Sequence, residues 1–289
     1  MLHSFLKSYK TDIENSVRNA LFEDLRAKTD VSAALIPSEK FSTAQVITRE
    51  PTIVAGLPWV VETFRQVDPD LKLNLLCEDG NEIAENGKLF TVEGSAHSIL
   101  TAERTALNFL QTLSGVATLT SQYVNKLRDT HCQLLDTRKT IPGLRIAQKY
   151  AVLCGGGKNH RLGLYDAFLI KENHITACGG ISQAVQKAKQ LAPTLKVEVE
   201  VETFIELKEA INSGTDIIML DNFSREDLIE AVSLVNQQPN HKKPLLEASG
   251  NLTLENLSDI AKTGVNFISI GALTKHVRAV DLSLRIVKS

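Results

Sequence analysis

The 289-residue chain has little that would place it in a membrane or a disulfide-linked scaffold. Its four cysteines are widely separated and form no CxxC pair, so a zinc site and a disulfide framework are not expected. The longest apolar stretch, residues 52–61, is far shorter than the roughly 20 residues that span a bilayer. The first residues lack the apolar core of a secretory signal. We therefore expect a cytoplasmic protein with no membrane partner.

The chain also lacks an excess of either charge, with 32 basic and 34 acidic residues and a formal net charge of −2. A strongly basic nucleic-acid-binding protein is therefore not expected. Glycine and proline are scarce, at 16 and 8 residues, whereas 43% of the chain is apolar, which excludes a disordered or fibrous chain. This length allows a sizeable core, in one large domain or two ordinary ones.

The second half of the chain alternates short apolar runs with segments of helical periodicity. The runs are predicted to be strands at residues 132–136, 167–171, 196–202, 217–221, 245–249 and 267–271. Helices are predicted between them at residues 144–153, 182–191, 203–212, 225–236 and 254–262. Ser224 and Thr253 are predicted N-caps. Because parallel strands need crossover helices, the spacing predicts an α/β fold whose parallel sheet is open or closed into a barrel.

The first half mixes element types. Helical periodicity predicts a helix at residues 12–25 and one or two long helices within residues 101–127. Strands are predicted at residues 42–49 and 88–93.

Charged residues and glycines stand at the ends of the predicted parallel strands. In such folds functional residues gather at the carboxyl ends of the strands, and a purely structural barrel would not need them at every end. The candidates at these ends are Arg138, Lys139, Lys171, Glu200, Asp221, Ser249, Gly250 and Gly271. His160 and Arg161 belong to the basic segment between the first two strands.

The third predicted strand has glutamates in alternation with valines, at Glu198, Glu200 and Glu202. With a period of two, the glutamates share one face. If the valines pack against helices, the glutamates point into the barrel, where nearby cations must offset their charge. The alternative is an edge strand with a solvated acidic face. Asp221 favours the first interpretation, because a second carboxylate would then lie close.

These residues by themselves describe an enzyme that acts on a multiply anionic substrate with Mg²⁺ and a phosphate. Arginine and lysine clusters suit carboxylates and phosphates, and paired carboxylates suit Mg²⁺. Glycines that follow strands are more often simple turns, so the phosphate site is the weaker part of this interpretation. A P-loop is excluded because Gly155–Lys158 lacks its spacing, and no GxGxxG motif exists. A Schiff-base aldolase that uses Lys171 stays open.

The same segments resemble the quinolinate phosphoribosyltransferases. The matching blocks are TAERTALN at 101–108, DTRKTIPGLR at 136–145, GGGKNHRLGL at 155–164, IKENHI at 170–175, EVEVE at 198–202, MLDNF at 219–223, EASG at 247–250 and ISIGALT at 268–274. The resemblance covers nearly the whole chain. It implies an N-terminal α/β sandwich-like domain over residues 1–109 and an incomplete, open α/β barrel over 110–275. A C-terminal segment, 276–289, is expected to pack back on the N-terminal domain.

The resemblance implies transfer of phosphoribose from phosphoribosyl pyrophosphate (PRPP) to quinolinate with decarboxylation, in de novo NAD biosynthesis. The products would be nicotinate mononucleotide, pyrophosphate and CO₂. Mg²⁺ is expected with PRPP, and no organic cofactor is expected. The resemblance further implies a homodimer whose active sites are shared between subunits.

The roles of individual residues follow from the matching motifs. Quinolinate would be bound by Arg138, His160, Arg161 and Lys171, with Arg104 supplied by the neighbouring subunit. Lys139 would touch both substrates. Glu200 and Asp221 would serve Mg²⁺ and the ribose, and Ser249, Gly250 and Gly271 would hold the 5′-phosphate.

Two alternatives to this function stay open. One is a sister phosphoribosyltransferase of the same fold that acts on another aromatic acid. The other is a non-catalytic sensor of phosphorylated metabolites. One departure from the family pattern is Asn251, which stands where many relatives have a glycine. Because asparagine tolerates the left-handed conformation, we expect a local change without loss of function.

Overall fold

The computed structural model describes residues 2–26, 28–37, 39–240 and 243–288; Ser289, which ends the predicted C-terminal segment, lies outside them. The helices are α1 (Leu2–Ser8), α2 (Lys10–Leu25), α3 (Leu57–Val67), α4 (Ala96–Lys126), α5 (Arg145–Cys154), α6 (Glu172–Cys178), α7 (Ile181–Leu191), α8 (Phe204–Asn212), α9 (Arg225–Asn236), α10 (Leu257–Ala261) and α11 (Ala272–Lys275). The strands are β1 (Phe41–Thr48), β2 (Thr52–Ile53), β3 (Lys72–Leu75), β4 (Glu82–Ile83), β5 (Lys88–Ser95), β6 (Gln133–Leu135), β7 (Phe168–Ile170), β8 (Val197–Val201), β9 (Ile217–Asp221), β10 (Leu245–Ser249), β11 (Phe267–Ser269) and β12 (Leu282–Lys288).

The chain divides into two compact units. The first comprises Met1–Ser121, Thr140–Gly156 and Ala272–Ser289, and the second comprises Gln122–Lys139 and Gly157–Gly271.

The first unit is built on a four-stranded antiparallel sheet with the order β12-β1-β5-β3. Alternate residues of β1 are buried, as a half-covered strand requires. Val46 lies opposite Phe90 of β5 and Leu284 of β12. These strands bury one face against α3 and α4, from which Phe64 and Leu110 enter the same core. The C-terminal strand is thus paired with the first strand of this unit.

The second unit is a six-stranded parallel sheet with the order β6-β11-β10-β9-β8-β7. All six predicted strands are present, and the α/β class is confirmed. Since β6 and β7 form the two edges, the sheet is open, as the resemblance implies.

The glutamate-rich strand β8 lies between β7 and β9, so the edge-strand alternative is wrong. Its valines are fully buried, because they pack on the side that the helices cover. On the opposite face Glu198 is buried and Glu200 is half-buried, whereas Glu202 follows the strand and is exposed.

Most predicted helices lie within a few residues of the observed ones, and the Ser224 cap is confirmed. The Ser224 Oγ accepts a hydrogen bond from the Asp227 amide at 3.1 Å. The Thr253 cap is wrong, because α10 begins only at Leu257. The Asn256 side chain accepts from the Thr253 amide at 2.9 Å and donates to the Asn251 carbonyl at 3.1 Å. These bonds hold the preceding residues in a loop.

The sequence patterns did not predict α3 or α6. The first begins within the apolar stretch at residues 52–61, after Gly56, and has a proline in its first turn. The second follows β7 directly and is only seven residues long. Among the helices of the described residues, not one has the length and apolar content needed to cross a membrane.

Candidate active site

A cavity of about 410 Å³ opens in the second unit at the carboxyl ends of the parallel strands. We call it the strand-end cavity. It is lined by Thr137, Arg138, Lys139, His160, Arg161, Leu169, Lys171, Glu200, Met219, Asp221, Ser249 and Ser269. Every strand of the parallel sheet, or the residues just after it, contributes to this lining. The structure thus brings together most of the residues predicted from the strand ends.

The loop after β6 is held in place by the fully buried carboxylate of Asp136. This carboxylate accepts hydrogen bonds from the Asn159 side chain at 2.6 Å and from the His160 amide at 2.9 Å. The loop that precedes Arg161 is thereby fixed against the loop that contains Arg138 and Lys139. The Nε of Arg138 is buried and has no hydrogen-bond partner among the described residues, so it can donate to an acceptor in the cavity.

Arg161 lies among partners that orient its side chain and shift its pKa. Its guanidinium donates to the Ala167 carbonyl at 3.3 Å, and its backbone amide donates to Nδ1 of His160 at 2.8 Å. Burial and then the charge of Arg138 lower the pKa of Arg161, whereas the negative charge of Glu198 acts in the opposite direction. Two arginines that face one cavity repel each other, and an anionic ligand would relieve that repulsion.

Elsewhere in the cavity lining, Lys171 Nζ donates a close hydrogen bond to the Glu200 carboxylate. Glu200 lies on β8, opposite Met219 of β9, and Asp221 ends β9. The Asp221 carboxylate accepts from the Asn222 side chain at 2.9 Å. Two carboxylates from neighbouring strands therefore line the same cavity as the cations.

Two further carboxylates lie close to His160 but do not line the strand-end cavity. Its Nε2 is 2.9 Å from Glu198 Oε2 and 3.6 Å from Glu247 Oε2, and both glutamates are buried. Burial and the adjacent charge of Glu198 raise the pKa of Glu247 to about 8. Sequence reasoning left both residues out of the predicted site. The period of two had already placed Glu198 on the same face as Glu200, and the position of Glu247 on the strand that ends in Ser249 is the corresponding signal for the second acid.

Of the two glycines of the predicted phosphate site, Gly250 is sterically required and Gly271 is closely packed, although neither lines the strand-end cavity. Gly250 has a φ of +93°, and a Cβ there would lie 2.1 Å from the Asn222 Oδ1. A Cβ at Gly271 would lie 3.0 Å from Cδ of Lys139. Asn251 adopts the left-handed conformation, with a φ of +51°, as expected of an asparagine that replaces glycine.

Comparison with known proteins identifies the family. The model of the quinolinate phosphoribosyl transferase C-terminal domain matches residues 116–285, and that of the N-terminal domain matches residues 30–114. The chain belongs to the quinolinate phosphoribosyltransferase family. The resemblance inferred from the sequence is thereby confirmed.

Individual members of the quinolinate phosphoribosyltransferase family match over most of their length. The nicotinate-nucleotide pyrophosphorylase (carboxylating) of Mycobacterium leprae is 40% identical, over 93% of this chain and 95% of the relative. A quinolinate phosphoribosyltransferase (decarboxylating) of Nicotiana tabacum is 42% identical, over 95% and 82%. The structure of the nicotinate-nucleotide pyrophosphorylase of Francisella tularensis aligns with a TM-score of 0.90 and 48% identity, over 96% of each chain. The predicted fold, an α/β domain and an open barrel, is thus confirmed.

Arg104, which the family resemblance also assigns to the site, is likewise not part of this cavity lining. Arg104 belongs to the first unit, on α4, where its exposed side chain lines a different cavity of about 550 Å³. The resemblance places this arginine in the active site of a neighbouring subunit, and that role stays a prediction.

Proposed function

We propose that this chain transfers the phosphoribosyl group of PRPP to quinolinate with loss of CO₂. The products are nicotinate mononucleotide and pyrophosphate, and the reaction belongs to de novo NAD biosynthesis. The observation that supports this most strongly is the strand-end cavity, in which arginines and lysines face two carboxylates. A pyridine dicarboxylate and a phosphate-rich donor both require such cations. Membership of the family supports the same reaction.

In this proposal Arg138, Arg161 and Lys171 bind the two carboxylates of quinolinate, and Lys139 touches both substrates. The buried, unpartnered Nε of Arg138 supports its part, because a carboxylate oxygen would satisfy it. Lys171 is oriented by Glu200, so its ammonium group is held at the cavity wall. His160 lines the same wall and holds the Arg161 backbone.

The reaction replaces one bond at the anomeric carbon of ribose by another. The bond to pyrophosphate breaks with its electron pair, and the pyridine nitrogen donates its lone pair to form the new C–N bond. Positive charge that develops on the ribose is stabilised by the fixed carboxylates of Glu200 and Asp221. The ribosylated ring is cationic and accepts the electron pair released when the adjacent carboxylate leaves as CO₂. A proton from solvent then completes the product.

The carboxylate oxygens of the cavity also fit the Mg²⁺ expected with PRPP. Mg²⁺ is commonly held by one or two carboxylates together with substrate phosphates, and Glu200 and Asp221 supply hard oxygen ligands at one cavity. When bound, Mg²⁺ would neutralise charge on the pyrophosphate leaving group. We propose no organic cofactor, because the pyridine ring itself accepts the electrons of decarboxylation.

The 5′-phosphate is assigned to Ser249, Gly250 and Gly271. The steric limit at Gly250 supports this assignment, because a Cβ there would lie 2.1 Å from Asn222 Oδ1, and Gly271 packs closely on Lys139. Backbone amides at such turns can approach a phosphate closely. Completion of each site by Arg104 of a second subunit, in a cytoplasmic homodimer, is part of the same proposal.

A labelled assay tests the function. The purified protein is incubated with Mg²⁺, PRPP and quinolinate labelled at the 2-carboxylate, with nicotinate as a parallel substrate. We expect labelled CO₂ and nicotinate mononucleotide in equal amounts, from quinolinate alone. Nucleotide from nicotinate would indicate a sister phosphoribosyltransferase, and PRPP binding without turnover would indicate a sensor.

A further inference from the structure

Glu198 and Glu247 come from β8 and β10, the two strands that flank β9. Neither lines the strand-end cavity, yet their carboxylates and the imidazole of His160 lie within 4.8 Å of one another. Glu198 is 3% exposed and Glu247 is fully buried. Burial of two acids is costly, so the cluster needs a function or a compensating cation.

The hydrogen bonding of His160 shows whether this cluster could bind a metal ion or instead holds a proton between the imidazole and a carboxylate. Because the Arg161 amide donates to Nδ1 at 2.8 Å, the lone pair of the imidazole is on Nδ1 and its proton is on Nε2. Nε2 lies 2.9 Å from Glu198 Oε2, within ion-pair distance, and as the protonated nitrogen it offers no lone pair to a metal. A metal-binding histidine shows the reverse arrangement, in which the second ring nitrogen donates to an acceptor.

We propose that Glu198 is a positioning residue for quinolinate binding. It accepts the Nε2 proton of His160 and so fixes the tautomer and orientation of the ring. His160 in turn holds the backbone of Arg161 through Nδ1, beside the strand-end cavity. This inference depends on the proposed function, since Arg161 is there assigned to the substrate carboxylates.

The burial of Arg161 and the charges around it agree with a positioning role for Glu198. Its guanidinium is desolvated and lies near the positive charge of Arg138, and both effects oppose its charged form. The Glu198 carboxylate counteracts them. Glu198 thus acts on the substrate-binding arginine in two ways, through the imidazole and through its own charge.

Three variants separate positioning from general stability. Glu198→Leu removes the acceptor at nearly constant volume, whereas Glu198→Gln retains an oxygen that can accept from His160. Val199→Ala is the matched control, because it alters the same buried strand on the opposite face. We expect Glu198→Leu to raise the KM for quinolinate about tenfold or more, as loss of a hydrogen bond to a charged group does, while the KM for PRPP stays near the wild-type value. Glu198→Gln should restore most of the quinolinate affinity, and Val199→Ala should lower only the melting temperature.

Nitrogen-15 NMR of the histidine side chains provides a readout that needs no substrate. We expect the His160 proton on Nε2 in the wild-type protein and in Glu198→Gln, and a shifted or broadened Nε2 resonance in Glu198→Leu, because the ring there loses the carboxylate that faces its Nε2. The inference is overturned by an Nδ1 proton in the wild type, by stoichiometric zinc in the purified protein, or by equal increases of both KM values in Glu198→Leu. If the wild type makes no nucleotide, the proposed function fails instead, and the His160 resonances still decide whether Glu198 holds the ring.

Discussion

Glu247 should make the stability of this protein depend on pH in a direction opposite to that of most carboxylates. Burial, and next the charge of Glu198, raise the pKa of Glu247 from 4.5 to about 8 in the folded chain. The unfolded chain therefore releases this proton at a lower pH than the folded chain does. The stability contributed by the neutral acid is complete below pH 4.5 and is lost as the pH rises through about 8.

The size of this pH dependence follows from the shift of the Glu247 pKa. The free energy of unfolding should fall by about 1.4 kcal/mol per pH unit over this window. Glu247→Gln places a neutral amide at the same position and removes this pH dependence. The stability of the variant relative to the wild type should therefore increase by about 3.5 kcal/mol between pH 5 and pH 8, because the slope is smaller near each pKa.

Urea unfolding of both proteins at each pH unit from 5 to 8 measures this difference. Glu226→Gln, an exposed position on α9, is the control for which the difference should stay constant. A difference between Glu247→Gln and the wild type that is the same at pH 5 and pH 8 would refute the reasoning. It would mean that Glu247 is ionised in the folded protein throughout this range.

The remaining predictions concern the strand-end cavity. Arg138→Ala should raise the KM for quinolinate about 10- to 100-fold, through loss of a charged hydrogen bond, and steady-state kinetics at saturating PRPP would show a wild-type KM if the assignment is wrong. Glu200→Gln should lower kcat about 100-fold with smaller changes in both KM values, because its charge acts mainly in the transition state; unchanged turnover would remove it from the mechanism. Mixing inactive Arg104→Ala and Arg161→Ala proteins should restore part of the activity through hybrid dimers with one intact site, and no recovery after verified subunit exchange would argue against shared sites. Borohydride with substrate should not trap Lys171, and a trapped adduct would indicate Schiff-base chemistry.

Local sequence patterns predicted the second unit well because its strands and helices are encoded by the spacing of residues that are close in sequence. Alternation along β8 identifies which residues share a face, and the crossover helices make the sheet parallel. Once the strands are parallel, the residues after each of them must meet at one edge. The positions of Arg138, Lys171 and Asp221 at or just after the ends of predicted strands therefore suffice to assign them to one site, and all three line the strand-end cavity.

Features that depend on competing local bonds were not predicted. Thr253 has the composition of an N-cap, yet the Asn256 side chain binds the preceding loop and delays α10. The helix at Glu172–Cys178 is too short for its periodicity to be distinguished from a loop. At α10 neighbouring side chains, and not intrinsic propensity, set the boundary, whereas the helix at Glu172–Cys178 ends at Gly179 in the left-handed conformation.

The amino-acid sequence by itself therefore determined the α/β class, the family and most of the residues that line the cavity, because each follows from periodicity or from a contiguous motif. Only the tertiary structure decided the order of the strands and that β8 is an interior strand, since strand order is not encoded in local spacing. The same holds for the contact of His160 with Glu198 and Glu247, which are distant in sequence and meet across three neighbouring strands. That contact exists because β10, β9 and β8 pair in this order, which the packing of the whole unit establishes.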